Sequence, residues 1–300
     1  VTEPASYPDY PFSPKRFDRG KGIGLSYLDE GPAEADPVLM LHGNPSWSYY
    51  WRHLVSGLCD SYRCIVPDHI GMGLSDKPDD GAYAYTLQSR VDDLDRLVES
   101  LGLTRKITLA VHDWGGMIGF AWAMRNPERV ARLVILNTAS FPMPKTKKLP
   151  WQIVLGRIPL LGAVLIRGFN FFARGAADLG VLRPIPPASR KALLAPYDSW
   201  ANRRAVHRFV QDIPLKPGDA GWALVQQAET QLPGYRDRPA FIGWGLQDFV
   251  FDQDFLAHFV KDLPAATQKI YSDAGHYVLE DKHEDLVPAI RQFLDRHPIG

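Results

Sequence analysis

Leu109-Ala110-Val111-His112-Asp113-Trp114-Gly115-Gly116 is the stretch on which the reading of this chain turns. Lys106 to Val111 is apolar and β-branched enough for a buried strand. Met117-Ile118-Gly119-Phe120-Ala121-Trp122-Ala123-Met124 reads as a helix packed on a sheet. The turn between them is too short for anything but a sharp reversal. A strand-turn-helix with a reactive side chain at its apex is a known way of presenting a nucleophile. The usual small-x-Ser-x-Gly pattern is altered here. Asp113 holds the apex, and Val111 replaces the first small residue, while Gly115 and Gly116 still let the helix approach closely.

A carboxylate at that apex selects a chemistry. A serine alkoxide suits attack on a carbonyl; a carboxylate is a weaker base that displaces a leaving group from saturated carbon. The product is an alkyl ester of the enzyme. Release by water then needs a general base and an oxyanion site. The competing reading is that Asp113 only caps the following helix. It loses ground because suitable partners follow downstream in a consistent order.

Three hundred residues at 45% hydrophobic content can bury one large core. Lysine plus arginine equals aspartate plus glutamate, 34 each, so no global charge draws the chain to nucleic acid or anionic lipid. Two cysteines, Cys59 and Cys64, argue against a disulfide framework and for a reducing cytoplasm. Val1 to Phe17 is polar and proline-rich, without the apolar core of a signal peptide. No C-x-x-C, H-E-x-x-H or calcium-loop pattern occurs, so neither a metal nor another cofactor is expected.

Taken in order, Ile23 to Tyr27, Val38 to Leu41 and Arg63 to Asp68 read as strands, with a helix over Tyr49 to Leu58. Gly71-Met72-Gly73 resembles a dinucleotide loop only superficially, because the third glycine is missing and no helix follows directly. Thr86 to Leu101 is an amphipathic helix with Leu87, Val91, Leu94, Val98 and Leu101 on one stripe. Asp92, Asp93, Asp95 and Glu99 lie off it and read as a solvated face. Arg132 to Thr138, Ala240 to Gly245 and Thr267 to Tyr271 are further strands, and Val278 to Leu294 a closing helix. Alternating strands and helices predict a mostly parallel central sheet with helices on both faces.

Between Phe141 and Pro233 the alternation stops, which divides the chain into a core of residues 1–140 and 234–300 and a helical cap of residues 141–233. Trp151 to Phe172 is notably apolar, but Gln152, Arg157, Pro159 and Arg167 interrupt it. Its longest run free of charged and amide side chains, Ile158 to Ile166, is nine residues, too short to cross a bilayer. The plain reading is a cap lining a greasy pocket. The sharper one is contact with a membrane surface, or self-association through the cap.

The chemistry gathers at strand ends. Asp113, Asp248 and His276 each follow a predicted strand, where ligands bind in open α/β sheets. Their order is nucleophile, acid, histidine. Asp248 orients the imidazole, and His276 activates the hydrolytic water. Asp252 and Asp254 are rivals for the acid but fall in the next predicted helix. His42 and His112 adjoin the site as backbone holders. Asn44 and Trp114 offer backbone N–H groups as an oxyanion pair, and side-chain N–H groups for a departing anion; simple packing is the alternative for Trp114.

His42-Gly43-Asn44-Pro45, Pro67-Asp68-His69-Ile70-Gly71-Met72-Gly73 and Val111-His112-Asp113-Trp114-Gly115 resemble the haloalkane dehalogenase family. The resemblance covers nearly the whole chain and implies an α/β-hydrolase fold with an inserted helical cap. In that family an aspartate displaces halide, and Asn and Trp side chains bind it. One branch carries its acid after the strand that follows the nucleophile. Asn137 stands there, so the resemblance assigns the acid to Asp248. Asp68 to Pro78, Tyr85 to Asp95 and His276 to Glu284 are most similar to the β-lactone decarboxylase branch of long-chain olefin biosynthesis. That branch implies a small apolar substrate, a cis-β-lactone, converted to a cis-olefin and CO2. Haloalkane hydrolysis on the same residues is the alternative. An epoxide hydrolase would want two cap tyrosines, for which only Tyr197 and Tyr235 are on offer, and a non-enzymatic receptor would not need the full triad.

Overall fold

The computed structural model describes residues 7–299. The first six residues of the Val1 to Phe17 stretch therefore lie outside the described residues. Eight strands form one sheet: β1 (Lys15–Asp18), β2 (Gly24–Glu30), β3 (Pro37–Leu41), β4 (Arg63–Pro67), β5 (Ile107–Asp113), β6 (Val130–Thr138), β7 (Ala240–Gly245) and β8 (Thr267–Tyr271). Their spatial order is β1-β2-β4-β3-β5-β6-β7-β8. Strands β1 and β2 are antiparallel additions at one edge, and β3 to β8 pair parallel. Strand β1, Lys-Arg-Phe-Asp, was not expected. It has no apolar alternation because it is a charged edge strand with little to bury.

Helices α1 (Arg52–Leu58), α2 (Leu87–Ser100) and α3 (Trp114–Arg125) belong to the first half. A short 3-10 turn, Ser48–Trp51, precedes α1. Strand β5 runs two residues further than its apolar run, and α3 begins at Trp114 without an intervening loop. Helix α3 is buried all round, from Trp114 to Met124, because it is sandwiched between the sheet and α2. Thr86 caps α2 by accepting the Ser89 N–H. The predicted stripe of α2 is buried, but its acids are not all solvated. Asp93 is buried and accepts from Arg19 at 2.6 Å and Tyr83 at 2.7 Å. Asp95 accepts the Trp122 indole N–H at 2.8 Å. Both sit where the N-terminal segment or α3 covers the helix flank, which α2's own sequence cannot reveal.

After β6 the chain leaves the sheet for α4 (Trp151–Arg157), α5 (Leu161–Ala163) with its π-turn Val164–Gly168, α6 (Phe171–Leu179), α7 (Pro187–Leu194), α8 (Arg204–Gln211) and α9 (Trp222–Gln231). The last of these packs on α3. Helices α10 (Gln253–Asp262) and α11 (Val278–Arg296) complete the fold, and α11 pairs with α1 against β6 and β7. Strand β3 is followed in the chain by β4 on one side of it, whereas β5 lies on the other. The sheet order reverses there, and the crevice at the carboxyl ends of β3 and β5 is the natural binding place.

Candidate active site

Asp113 closes β5 with φ +51° and ψ −127°, a conformation unfavourable to any residue with a Cβ. Neighbours hold it there. The Thr138 hydroxyl at the end of β6 donates to the Asp113 carbonyl. A Cβ on Gly115 would lie 2.0 Å from the Leu41 carbonyl oxygen, so only glycine lets α3 start this close to β3. A Cβ on Gly43 would lie 2.0 Å from Asp113 Oδ1, which is why the loop after β3 reads His-Gly-Asn. With Gly43 in place, the Asn44 N–H donates to Asp113 Oδ1 at 2.6 Å, and the Trp114 N–H supports the same carboxylate. Oδ1 thus accepts the Asn44 amide, and Oδ2 lies 3.6 Å from His276 Nε2.

His276 and Asp248 come from the loops after β8 and β7. Nδ1 of His276 donates to Asp248 Oδ2 at 2.9 Å, which turns Nε2 toward Asp113. The other oxygen of Asp248 accepts the Val250 N–H at 2.7 Å. Burial pushes the Asp113 carboxyl above the usual carboxylate range, against the pull of His276 and the two amides. Burial also disfavours the His276 cation, but the Asp248 and Asp113 carboxylates outweigh it, and its pKa ends above the ordinary imidazole value. The rival acids are engaged elsewhere. Asp252 is the N-cap of α10 rather than inside it and pairs with Lys147 at 2.7 Å; Asp254 accepts the Thr146 hydroxyl.

A cavity lined almost wholly by carbon opens over this group. Asn44, Asp113, Trp114 and His276 meet side chains from α4, α6, the segment after α8 and the β7–α10 loop there. Trp114 packs edge-on against Phe209, 5.0 Å between ring centres. Behind both rings the buried Arg90 guanidinium lies 3.6 Å from the Phe209 ring centre and donates to Asp212 at 3.0 Å. The Asn44 side chain differs from its simplest expectation, because its N–H2 donates to the Val206 carbonyl at 3.2 Å. One of its two hydrogens is thereby spent in fixing the amide, and one is left. The adjoining histidines hold backbone. His112 Nε2 meets the His276 carbonyl at 2.9 Å, and His42 bonds the Gly43 carbonyl while its Nε2 accepts the His69 N–H. Burial brings the His42 pKa down to about 4, so this ring is neutral near pH 7. The glycine loop Gly71–Gly73 encloses no phosphate cradle. The Asp68 carboxylate fills it, accepting from Ser48 and Leu74, and a Cβ on Gly73 would strike that carboxylate.

Residues 36–283 match the α/β hydrolase fold family. The chain is 61% identical to a cis-3-alkyl-4-alkyloxetan-2-one decarboxylase of Xanthomonas campestris over 299 residues, covering 98% of this chain and 100% of that one. It is 30% identical to haloalkane dehalogenase 2 of Mycobacterium tuberculosis, over 94% of each chain. The chain belongs to the haloalkane dehalogenase family of α/β-hydrolases. The solved structure of haloalkane dehalogenase DbeA from Bradyrhizobium elkani superposes with a TM-score of 0.83 at 26% identity, over 95% of this chain and 98% of that one. Like other members of this family, the chain is an enzyme that works through an aspartate nucleophile and a covalent ester.

Two positions escaped the sequence reading of this family member. Asn137, seen there only as a missing carboxylate, donates to Asp248 Oδ2 and to the Gly245 carbonyl, both at 3.0 Å, and accepts the Gly245 N–H at 2.8 Å. It braces the acid loop from the neighbouring strand. Asp281, buried in the first turn of α11, accepts the N–H groups of Gly275, Leu182 and Arg183, so one carboxylate ties the His276 loop to the cap. Its place five residues after His276 was the only hint. Asn137→Ala leaves a buried carboxylate oxygen and the Gly245 carbonyl short of a donor. The expected cost is about 1–3 kcal/mol of stability, read by denaturant unfolding, with a loss of turnover larger than any change in KM.

Proposed function

We propose that this enzyme converts cis-3-alkyl-4-alkyloxetan-2-ones to cis-olefins and CO2, with Asp113 as nucleophile, Asp248 and His276 as its acid and histidine partners, and Asn44 and Trp114 around the leaving group. The observation that carries the substrate is the 61% identity, end to end, with a relative of that activity, against 30% with the dehalogenases. The carbon-lined cavity supports an apolar substrate with two alkyl arms.

In the first step Asp113 Oδ2 attacks the ring carbon that bears oxygen. The C–O bond breaks with inversion, and the ring carboxylate is released while still attached through the neighbouring carbon. In the second step the bond to that carboxylate breaks and CO2 departs. Its electron pair forms the olefin and expels the Asp113 carboxylate from the opposite face. Inversion followed by anti elimination is syn overall, so a cis-lactone gives a cis-olefin. No water, cofactor or external proton enters the balance. The Asn44 amide stays on Oδ1, and the Trp114 amide on the carboxylate, throughout.

Haloalkane hydrolysis on the same groups is the second reading, supported by the Asn44–Trp114 pair on the cavity wall. An epoxide hydrolase finds no support in the cap tyrosines. Tyr197 donates to the Ser46 carbonyl and Tyr235 to the Ala123 carbonyl, and neither lines the cavity. Two free thiols, Cys59 and Cys64, support the cytoplasmic location. Of the two cap contacts raised by the sequence, a membrane surface is the one we propose, on the exposed apolar side chains between Trp151 and Leu182.

Incubation with a cis-β-lactone and, side by side, with 1-iodobutane or 1,2-dibromoethane tests the assignment. Olefin from the first with little halide from the others is expected; a β-hydroxy acid in place of olefin transfers the assignment to the dehalogenase reading. Trp114→Phe keeps the ring and removes the indole donor. Single-turnover alkylation of Asp113 is then expected to slow by about 3 kcal/mol, the scale of losing one oxyanion donor. An unchanged rate reduces the indole to packing.

A further inference from the structure

The helices that wall one side of the cavity carry exposed carbon on their other side. Ten of the thirteen large hydrophobic side chains exposed among the described residues lie between Trp151 and Leu182. On α4 and its C-cap, Trp151, Val154 and Ile158 recur at i, i+3 and i+7 on the exposed face, while Ile153 and Gly156 turn inward. The bend that follows is tipped by Leu160, 83% exposed and held at φ +62° without being glycine. The arms on either side of it, α4 and Leu161–Gly168, meet at 112°. No single described helix is long and apolar enough to cross a membrane, and the bend suits two arms lying along a surface. The Trp151 and Phe171 rings, 6.4 Å apart, join the starts of α4 and α6 into the same face. Monomeric proteins rarely concentrate exposed carbon in this way without a partner.

The charge carried by this stretch of chain is mostly of one sign, although Asp252 and Asp254 adjoin Lys147 and Thr146. Between Lys145 and Arg183 there are seven lysines and arginines and a single acid, Asp178. Asp178 is neutralised by Arg190 at 2.6 Å. Lys147 is tied to Asp252, and Arg157 caps three carbonyls of the segment after α8. Among the described residues, Lys145, Lys148, Arg174 and Arg183 are exposed and form no ion pair. Phe171 and Leu179 both line the cavity and reach the exposed surface, so the cavity wall and this face share side chains.

We infer that this face docks on the surface of an anionic phospholipid bilayer, with Leu160 and Phe169 entering the acyl boundary and the basic side chains meeting the headgroups. The shared side chains then bring the cavity wall to the leaflet, and a substrate too apolar for water enters directly from it. The docking rests on the surface alone; the uptake rests on the proposed long-chain lactone.

Cosedimentation of the full chain with vesicles tests the docking. Binding to phosphatidylcholine vesicles containing phosphatidylglycerol is expected to exceed binding to phosphatidylcholine alone by about tenfold, and to fall with added salt. Leu160→Glu with Phe169→Glu is expected to lower the binding by about tenfold. Lys145→Glu with Lys148→Glu should erase the preference for anionic vesicles. None of these four residues lines the cavity, so both double variants should turn over a short, water-soluble cis-β-lactone like the wild type. Absence of vesicle binding by the wild type overturns the inference. So does undiminished binding by the Leu160→Glu/Phe169→Glu variant. A wild-type dimer in light scattering that the same variant splits, with no vesicle binding, assigns the face to a second copy and overturns it too. Vesicle binding by a protein that makes no olefin from any lactone leaves the docking standing and removes the proposed reaction.

Discussion

Asp113→Ala is expected to abolish turnover of every substrate class, lactone and haloalkane alike. Both reactions begin with the same bond, from a carboxylate oxygen to saturated carbon, and only Asp113 stands at the apex of the strand-turn-helix with an oxygen facing the cavity. His276 and Asp248 cannot substitute, because Asp248 is fully engaged by His276, Asn137 and Val250. Activity within about tenfold of wild type, or about 1.4 kcal/mol of barrier, would remove the covalent mechanism altogether. The milder Asp113→Asn should be equally inactive yet more stable. Burial raises the Asp113 pKa in the folded state, so its contribution to stability is largest below the unfolded carboxylate pKa and is lost as pH rises through the folded one. At pH 7 the ionised group therefore costs stability. The melting temperature of Asp113→Asn should exceed that of wild type at pH 7, and the gap should close as the medium is acidified. A gap that widens on acidification would contradict the raised pKa.

His276→Ala should give opposite outcomes with the two substrate classes. In haloalkane hydrolysis the Asp113 ester is destroyed only by water, which needs the neutral Nε2 as base. The variant should stop at the alkyl-enzyme, and intact-mass analysis should find the chain heavier by the alkyl group. In β-lactone decarboxylation the intermediate carries its own exit, the adjacent carboxylate. The same variant should go on releasing olefin, slowed by loss of the charge beside Asp113, with no adduct accumulating. A stable lactone-derived ester in His276→Ala, from an enzyme whose wild type makes olefin, would refute the water-free elimination. The pH dependence carries the same distinction. The His276 pKa is raised, so the hydrolytic step should fail on the acid side starting above the ordinary imidazole value, as the base becomes protonated. The elimination has no such requirement for His276, and its acid limb should follow ionisation of Asp113 instead.

The alternation of strands and helices, and the place of the candidate reacting groups past strand ends, were legible because they rest on local signals. A buried parallel strand reads as an apolar run, and ligands bind past its carboxyl end; Asp113 closes β5, and Asp248 and His276 follow β7 and β8 by three and five residues. The doubled glycine after Asp113 was legible for a similar reason, since a helix that begins against the Leu41 carbonyl has no room for a Cβ. Asp93 was misread because its partners, Arg19 and Tyr83, come from other segments, and one helix's periodicity says nothing of what folds over its flank. Asn137 was read only as a missing carboxylate and Asp281 was passed over, although one braces Asp248 and the other fastens the His276 loop to the cap.

The sequence by itself determined the alternation of strands and helices, the chain order of the reacting groups, and the presence of a greasy insertion, because hydrophobic periodicity and turn chemistry act over a few residues. Tertiary structure alone decided which atoms face one another. It put Oδ1 of Asp113 on the Asn44 N–H and Oδ2 toward His276, and it spent part of the Asn44 side-chain amide on the Val206 carbonyl. It also decided that the insertion's carbon is divided between a cavity wall and an outer surface. Composition shows how much apolar area a segment carries, but only packing against the core sets which side of each helix is covered and which is left for a partner.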